Sequence, residues 1–355
     1  MMTEGNRDEW QEDERKLIDA FFREKVPQAL KQDGKPENAC DEGACTEFAK
    51  QLLSADDLAP VDNQGCNSFT LICHSRGQIV QFRLRPLDTS IIDLAHQTYG
   101  NIIPRFVFHS GFALPVYSSR IIPGRVHFLQ PFPKTHFPLK RQQTTVKELG
   151  WFIGRATHHI QPKSAYKADS WTVKARENLQ RLEHNTSLTE LAPDLRKAIL
   201  RIQDKVQLLD SLPPVLTHHD LAEVNIFVND EGNVTGVIDL DTAGVEAFGM
   251  CIWGIYECFL GSMENEKWSF HNQLADGYHG QTVREVLEAT FWDSLWSSIS
   301  LRLKREDLEE AVKIALAVGI INRYFVRGML DRIDPAEKVH CLSLEYAKGI
   351  LPAVI

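Results

Sequence analysis

The sequence predicts an α+β chain in two lobes, a small β-rich lobe followed by a larger, mainly helical one. Three observations lead there. The chain has 355 residues, long for one hydrophobic core and natural for two. Between residues 68 and 122, short apolar–polar alternations separated by Gly-containing turns read as antiparallel strands. Beyond residue 122 the apolar positions move to helical spacing, interrupted by one hairpin-like stretch at 215–244. The chain divides accordingly into an N-terminal helical extension (1–55), a β-rich lobe (56–122) and a helical lobe (123–355).

In order, residues 14–30 carry Leu17, Ile18, Phe21, Phe22 and Val26 at helix-like spacing, and 44–53 read as a second helix. Whether this extension packs on the small lobe or covers a site is open. Ser68–Cys73 and Gln78–Leu84 alternate around the turn Ser75-Arg76-Gly77, and 88–99 reads as a helix. Two more strands follow at 106–109 and 114–122, ending before Pro123-Gly124. Thr145 and Glu148 have the spacing of a capping box at a helix start. Leu149, Phe152, Ile153 and Ala156 form that helix's apolar face, and His158 and His159 suit its C-terminal end. Helices are expected at 171–187, 192–211, 282–300, 305–326 and 335–348. The apolar run after Gly249 reads as core, with Trp253, Tyr256 and Glu257 as alternative pocket-lining residues.

Composition narrows the function. Hydrophobic content of 43% and charged content of 25% describe an ordinary globular chain. A net charge of −9 argues against a general nucleic-acid binder. No run of about 18 apolar residues exists to cross a membrane, and the polar, acidic N-terminus lacks the apolar centre of a signal peptide. The seven cysteines include no CxxC pair and read as reduced thiols, so a cytoplasmic location is expected. The oligomeric state is left open.

The chemistry concentrates in residues 215–244. A short apolar lead runs into His218-His219-Asp220. Then comes Asn225, a strand at 226–228, turn residues 229–233, and a second strand at 234–240 that runs into the polar loop 239–241. Such a hairpin can bring Asp220, Asn225 and Asp239 to one end. A carboxylate there can orient a substrate hydroxyl or accept its proton. An amide oxygen and a second carboxylate are hard ligands that suit Mg²⁺. Two plainer readings stand beside this one: a metal-binding His218–His219–Asp220 cluster, and simple turn-capping by Asp220 and Asn225.

This stretch resembles the catalytic and metal loops of aminoglycoside phosphotransferases and their choline-kinase-like relatives, which share the protein-kinase-like bilobal fold. The QFR strand and the pattern from Phe248 to Gly254 resemble a fungal branch associated with secondary metabolism. The resemblance implies Asp220 as catalytic base, Asn225 and Asp239 as Mg²⁺ ligands, and ATP as phosphoryl donor to a small-molecule hydroxyl. It implies a nucleotide-covering loop at Gly65, Asn67 and Ser68, and a lobe connector whose backbone at Ile121 meets the adenine edge. The family's phosphate-binding Lys falls at Arg83. No Lys occurs between Lys50 and Lys134 and no Glu between Glu47 and Glu148, so the usual Lys–Glu pair is absent and Asp93 is the candidate acid. His219 stands where the family has a small residue or Asn, and Met250 where it often has an acid. The missing pair leaves two alternatives: nucleotide-independent acid–base chemistry on a natural-product intermediate by Asp220 or His219, and a non-catalytic scaffold.

Overall fold

In the computed structural model, which describes residues 14–36, 39–130, 137–326 and 328–355, buried apolar side chains separate into two clusters. The smaller joins the N-terminal extension to a sheet: Ile18, Phe21, Leu30 and Cys45 meet Phe69, Leu71, Val80 and Phe82. The extension therefore packs on the small lobe. Its helices are α1 (Val26–Gln32) and α2 (Glu42–Leu53), the latter capped by the Asp41 carboxylate accepting from the Ala44 N–H at 2.7 Å.

The sheet comprises β1 (Leu58–Pro60), β2 (Ser68–Cys73), β3 (Gln78–Arg83), β4 (Val107–His109) and β5 (Val116–Arg120), antiparallel in the order β1-β2-β3-β5-β4. Strand alternation sends Phe69, Leu71, Val80 and Phe82 to the face covered by the extension. The pairing Ser68↔Arg83 sets Arg83 beside the loop that enters β2. Helix α3 (Thr89–Tyr99) lies within the β-rich stretch of sequence but packs on the larger cluster, where Tyr99 stacks on Phe152 at 3.9 Å.

The larger cluster is built by α4 (Leu139–Arg155), α5 (Trp171–Glu183), α6 (Thr186–Leu191), α7 (Pro193–Lys205) and, after the central hairpin, by α8 (Trp253–Cys258), α9 (Val283–Ser298), α10 (Arg305–Tyr324) and α11 (Lys338–Val354). Leu149, Phe152, Ile153 and Ala156 are buried as expected. The capping box at Thr145 and Glu148 is not formed. Helix α4 starts at Leu139, and both residues lie inside it. The Thr145 hydroxyl donates to the Gly232 carbonyl at 2.7 Å and Glu148 accepts from the Val234 N–H, so both side chains tie α4 to the central hairpin. A true capping box occurs at Thr282 and Glu285. His158 sits against the Ser298 carbonyl at 3.1 Å, a structural contact.

The sequence also missed a hairpin, β11 (Gly261–Glu264) with β12 (Lys267–Phe270). Its two-residue turn, Asn265-Glu266, has positive φ at both positions, 50° and 60°. Glu is an unusual second residue there, so the common Asn-Gly signal is absent.

Candidate active site

The site forms where β7 (Pro214–Thr217), β8 (Ile226–Val228) and β9 (Val234–Val237) end. β7 pairs with β10 (Gly244–Ala247), and β8 pairs with β9 and with β6 (Arg125–Val126). β9 ends at Val237, three residues earlier than the sequence pattern predicts. The backbone then turns, and Asp239 takes φ +61°. Asp tolerates this left-handed conformation better than most residues.

His218 organises the loop. Its Nδ1 accepts from the Asp220 N–H at 3.1 Å and its Nε2 faces the Ile238 carbonyl at 2.8 Å, which selects the tautomer with the proton on Nε2. Burial lowers its pKa and keeps it neutral. Both of its nitrogens serve the backbone, and among the described residues no group of three or more His, Cys, Asp or Glu side chains is arranged to hold a metal alone. The three residues predicted to converge do so. Asn225 Nδ2 donates to the Asp220 carbonyl at 2.8 Å and to Asp220 Oδ2 at 3.1 Å, and the Ile238 N–H reaches the Asn225 carbonyl at 3.0 Å. With its amide nitrogen committed, Asn225 has its side-chain oxygen available for a cation. Burial, and then repulsion from Asp241 and Asp220, raise the Asp239 pKa. Solvent nonetheless reaches Asp239, which is among the exposed residues. It is accessible yet crowded by protein and by like charge, a setting in which a hard cation is favourable. The donor set of Asn225 oxygen and Asp239 carboxylate fits Mg²⁺.

The Trp253 region is both core and wall. Trp253 and Tyr256 are buried, and Glu257 points toward the site, 3.6 Å from Arg323. Helix α8 presses against the Asp220 loop at Gly254, where a Cβ would lie 2.1 Å from the Leu221 carbonyl oxygen. Only glycine permits that approach. Met250 is buried and packs on α10 at Gly319, so it stands in the core where the family often has an acid. Glu246, wholly buried, holds the first turn of α5 through the Trp171 and Thr172 N–H groups at 2.8 and 2.7 Å. His219 lies 3.2 Å from that carboxylate and stacks on Trp171 at 4.3 Å.

On the small-lobe side, Arg83 is 7% exposed. Its Nη1 donates to Gln81 at 2.9 Å and its Nη2 pairs with Asp241, so the strand reaches across to the large lobe. Its buried Nε has no partner among the described residues. Asp93 is exposed and is not the partner of Arg83. Asp241 takes that place, because α3 packs on the large lobe and carries Asp93 elsewhere. Gly65 and Asn67 are exposed in the loop before β2, and Ser68 is buried against Gln81 at 3.2 Å. Glu14 accepts from the Gln64 N–H at 2.7 Å, and Lys25 Nζ donates to the Cys66 carbonyl at 2.7 Å. Asn63 Nδ2 donates to the Val224 carbonyl at 3.1 Å, joining this loop to the Asp220 loop. The Ile121 N–H donates to the Gly77 carbonyl at 3.0 Å and so is already committed within the protein.

Comparison with known proteins agrees with this geometry. A model of the phosphotransferase enzyme family matches residues 140–255, a span holding Asp220, Asn225 and Asp239. The match is confined to this segment of the chain. The described residues form a smaller apolar cluster under the five-stranded sheet and a larger, mainly helical one that holds most of the matched segment. Among solved structures, an ADP-bound aminoglycoside phosphotransferase is 14% identical, with 87% of this chain and 98% of that chain covered and a TM-score of 0.46. A macrolide 2'-phosphotransferase from Brachybacterium faecium is 15% identical over 87% and 99%, with a TM-score of 0.49. An ethanolamine kinase from Plasmodium vivax is 12% identical over 88% and 89%, with a TM-score of 0.49. No curated protein sequence matches. No helix among the described residues is long and apolar enough to cross a membrane.

Proposed function

We propose that the protein is an ATP- and Mg²⁺-dependent kinase that transfers the γ-phosphoryl group to a hydroxyl of a small molecule. The observation that carries this reading is the Asp220–Asn225–Asp239 constellation within the matched family segment. Phosphoryl transfer demands positioning and charge neutralisation more than covalent help from the protein. Asp220 would accept the hydrogen bond of the attacking hydroxyl and orient it. Asn225 and Asp239 would hold Mg²⁺, which when bound offsets phosphate charge. Arg83 would offer its unpartnered Nε–H to phosphate, as a planar donor where an ammonium is usual. The loop at Gly65, Asn67 and Ser68 and the connector at Ile121 would flank the nucleotide. A cytoplasmic location and an acceptor drawn from secondary metabolism complete the proposal.

Thermal denaturation with ATP, with and without Mg²⁺, tests it. A ligand that binds the folded state raises its melting temperature by mass action. A Mg²⁺-dependent rise, lost in Asp239→Ala, is expected. No rise at millimolar ATP would sink the kinase reading and turn attention to nucleotide-independent chemistry in the same cleft.

A further inference from the structure

The kinase reading assigns a task to Asp220 but none to the cation held against it. Arg323, in the last turn of α10, places Nη1 2.9 Å from Asp220 Oδ1. The contact spans 103 residues of sequence. Three neighbours define the guanidinium's place. Its Nε lies 3.6 Å from Glu257 Oε2, and its centre lies 4.5 Å from the ring of the buried Trp253. The Tyr324 hydroxyl donates to the same Glu257 oxygen at 2.7 Å and so holds that carboxylate in place. Arg323 is thus gripped on one edge and on its face while Nη1 points at the residue that would meet the acceptor. It is not simply a surface pair: the Arg323 and Asp220 side chains are 34% and 35% exposed.

The consequence lies in the geometry of the Asp220 carboxylate. Arg323 occupies Oδ1 and Asn225 occupies Oδ2. Donors on both oxygens stop rotation about the last side-chain bond and define the carboxylate plane, while each oxygen keeps a lone pair for a further hydrogen bond. We propose that Arg323 is a positioning residue, which fixes the Asp220 carboxylate plane so that its free lone pair meets the acceptor hydroxyl. Glu257, Tyr324 and Trp253 serve by holding Arg323. The proposal rests on the kinase reading of the site.

The test uses the full chain with Mg²⁺-ATP as probe, and water and glycerol as hydroxyl acceptors, following release of phosphate and formation of phosphorylated glycerol. Arg323→Gln keeps the stem and removes the charge. Its Mg²⁺-ATP thermal shift should match that of the unaltered protein, while turnover falls about a hundredfold, the scale of a misplaced catalytic group. Low-millimolar guanidinium should restore part of that turnover in Arg323→Gln and none in Asp220→Ala. A purely structural role gives no such rescue. Arg323→Lys supplies a point charge without the fixed fork and should lose about tenfold in kcat with the KM for ATP unchanged. If Arg323→Gln does not fold, Arg323→Lys decides, and an unchanged kcat overturns the proposal. Full turnover in Arg323→Gln, or a loss that guanidinium does not restore, also overturns it and leaves the kinase reading standing. No Mg²⁺-ATP binding, or no turnover with either acceptor by the unaltered protein, overturns both.

Discussion

The two walls of the cleft are built on different principles. The centre of the large-lobe wall is local, with Arg323 reaching it from 103 residues away. His218, Asp220 and Asn225 hydrogen-bond within a span of eight residues, and Ile238 closes the loop from the paired strand. Behind it lies the larger apolar core, with Leu221 and Ile226 fully buried. The small-lobe wall is assembled from distant pieces. Arg83 meets Asp241 across 158 residues, and Asn63 meets Val224 across 161. Its loop depends on Glu14 and Lys25 from the N-terminal extension. Bonds within one lobe survive its motion against the other, whereas Arg83–Asp241 and Asn63–Val224, which join the lobes, are made or lost by it. Under the proposed function, chemistry falls to the large-lobe wall and nucleotide capture to the small-lobe wall.

The sharpest way to break this division is Asp220→Ala. Turnover should fall by about 10³-fold or more, the upper range for a general base or orienting group. Mg²⁺-ATP binding, followed by thermal shift, should be nearly unchanged. Equal loss of binding and turnover would mean that the two walls do not divide the work.

Gly254→Ala probes the rigidity of the large-lobe wall. The added Cβ would sit 2.1 Å from a backbone oxygen of the catalytic loop. Neither partner is a flexible side-chain end, so the loop or α8 must move. A loss of about 2–3 kcal/mol in unfolding free energy is expected from such overpacking, with turnover falling further than stability explains. A fully active, equally stable variant would show that the loop yields without cost.

Arg83→Ala addresses the other wall. It removes the sheet's link to Asp241 and leaves Asp239 and Asp241 without that cation. Nucleotide affinity should fall about 10- to 100-fold, on the scale of charge-assisted hydrogen bonds to phosphate. Isothermal titration with Mg²⁺-ATP measures it, and unchanged affinity would remove Arg83 from the nucleotide site.

The same contrast explains what could be read from the sequence. The Asp220, Asn225 and Asp239 convergence was legible because the hairpin is local, and its turn at 229–233 carries recognisable Asn and Gly chemistry. The strands Ser68–Cys73 and Gln78–Arg83 were legible from alternation. Asp241 was visible as part of a polar loop, but its pairing with Arg83 was not, because no local pattern links residues so far apart. The absence of Glu from 48–147 was the available signal that Arg83 needs an acid from elsewhere. Asp93 was the wrong choice because helix 89–99 carries Ile91, Ala95 and Tyr99 into the larger core. Thr145 and Glu148 had capping spacing, yet that spacing also occurs within helices whose side chains bind neighbouring backbone. The contact of Arg323 with Asp220 was not legible, because it required the packing of α10.

The smallest expected effect isolates Asp239 in the protein without nucleotide. Burial, with repulsion from Asp241 and Asp220, raises its pKa above the ordinary 3.8. The folded state therefore binds a proton that the unfolded chain has released, and stability declines as pH rises through the window above 3.8. Asparagine cannot titrate, and it adopts the left-handed backbone of this position without added strain. Asp239→Asn should thus differ from the unaltered protein by a margin that grows as the pH rises above 3.8 and levels off once the folded-state carboxylate has ionised. The margin should be no more than about 0.5 kcal/mol in favour of the variant, because solvent at this exposed carboxylate screens the repulsion. Adding Mg²⁺-ATP should reverse the order: the unaltered protein gains the ligand's stabilisation and Asp239→Asn does not. Paired thermal melts across pH, with and without Mg²⁺-ATP, measure both margins. A variant less stable at neutral pH without ligand would mean that hydrogen bonds, including that from the Asp241 backbone, already satisfy the carboxylate and that its charge is not held in reserve for a cation.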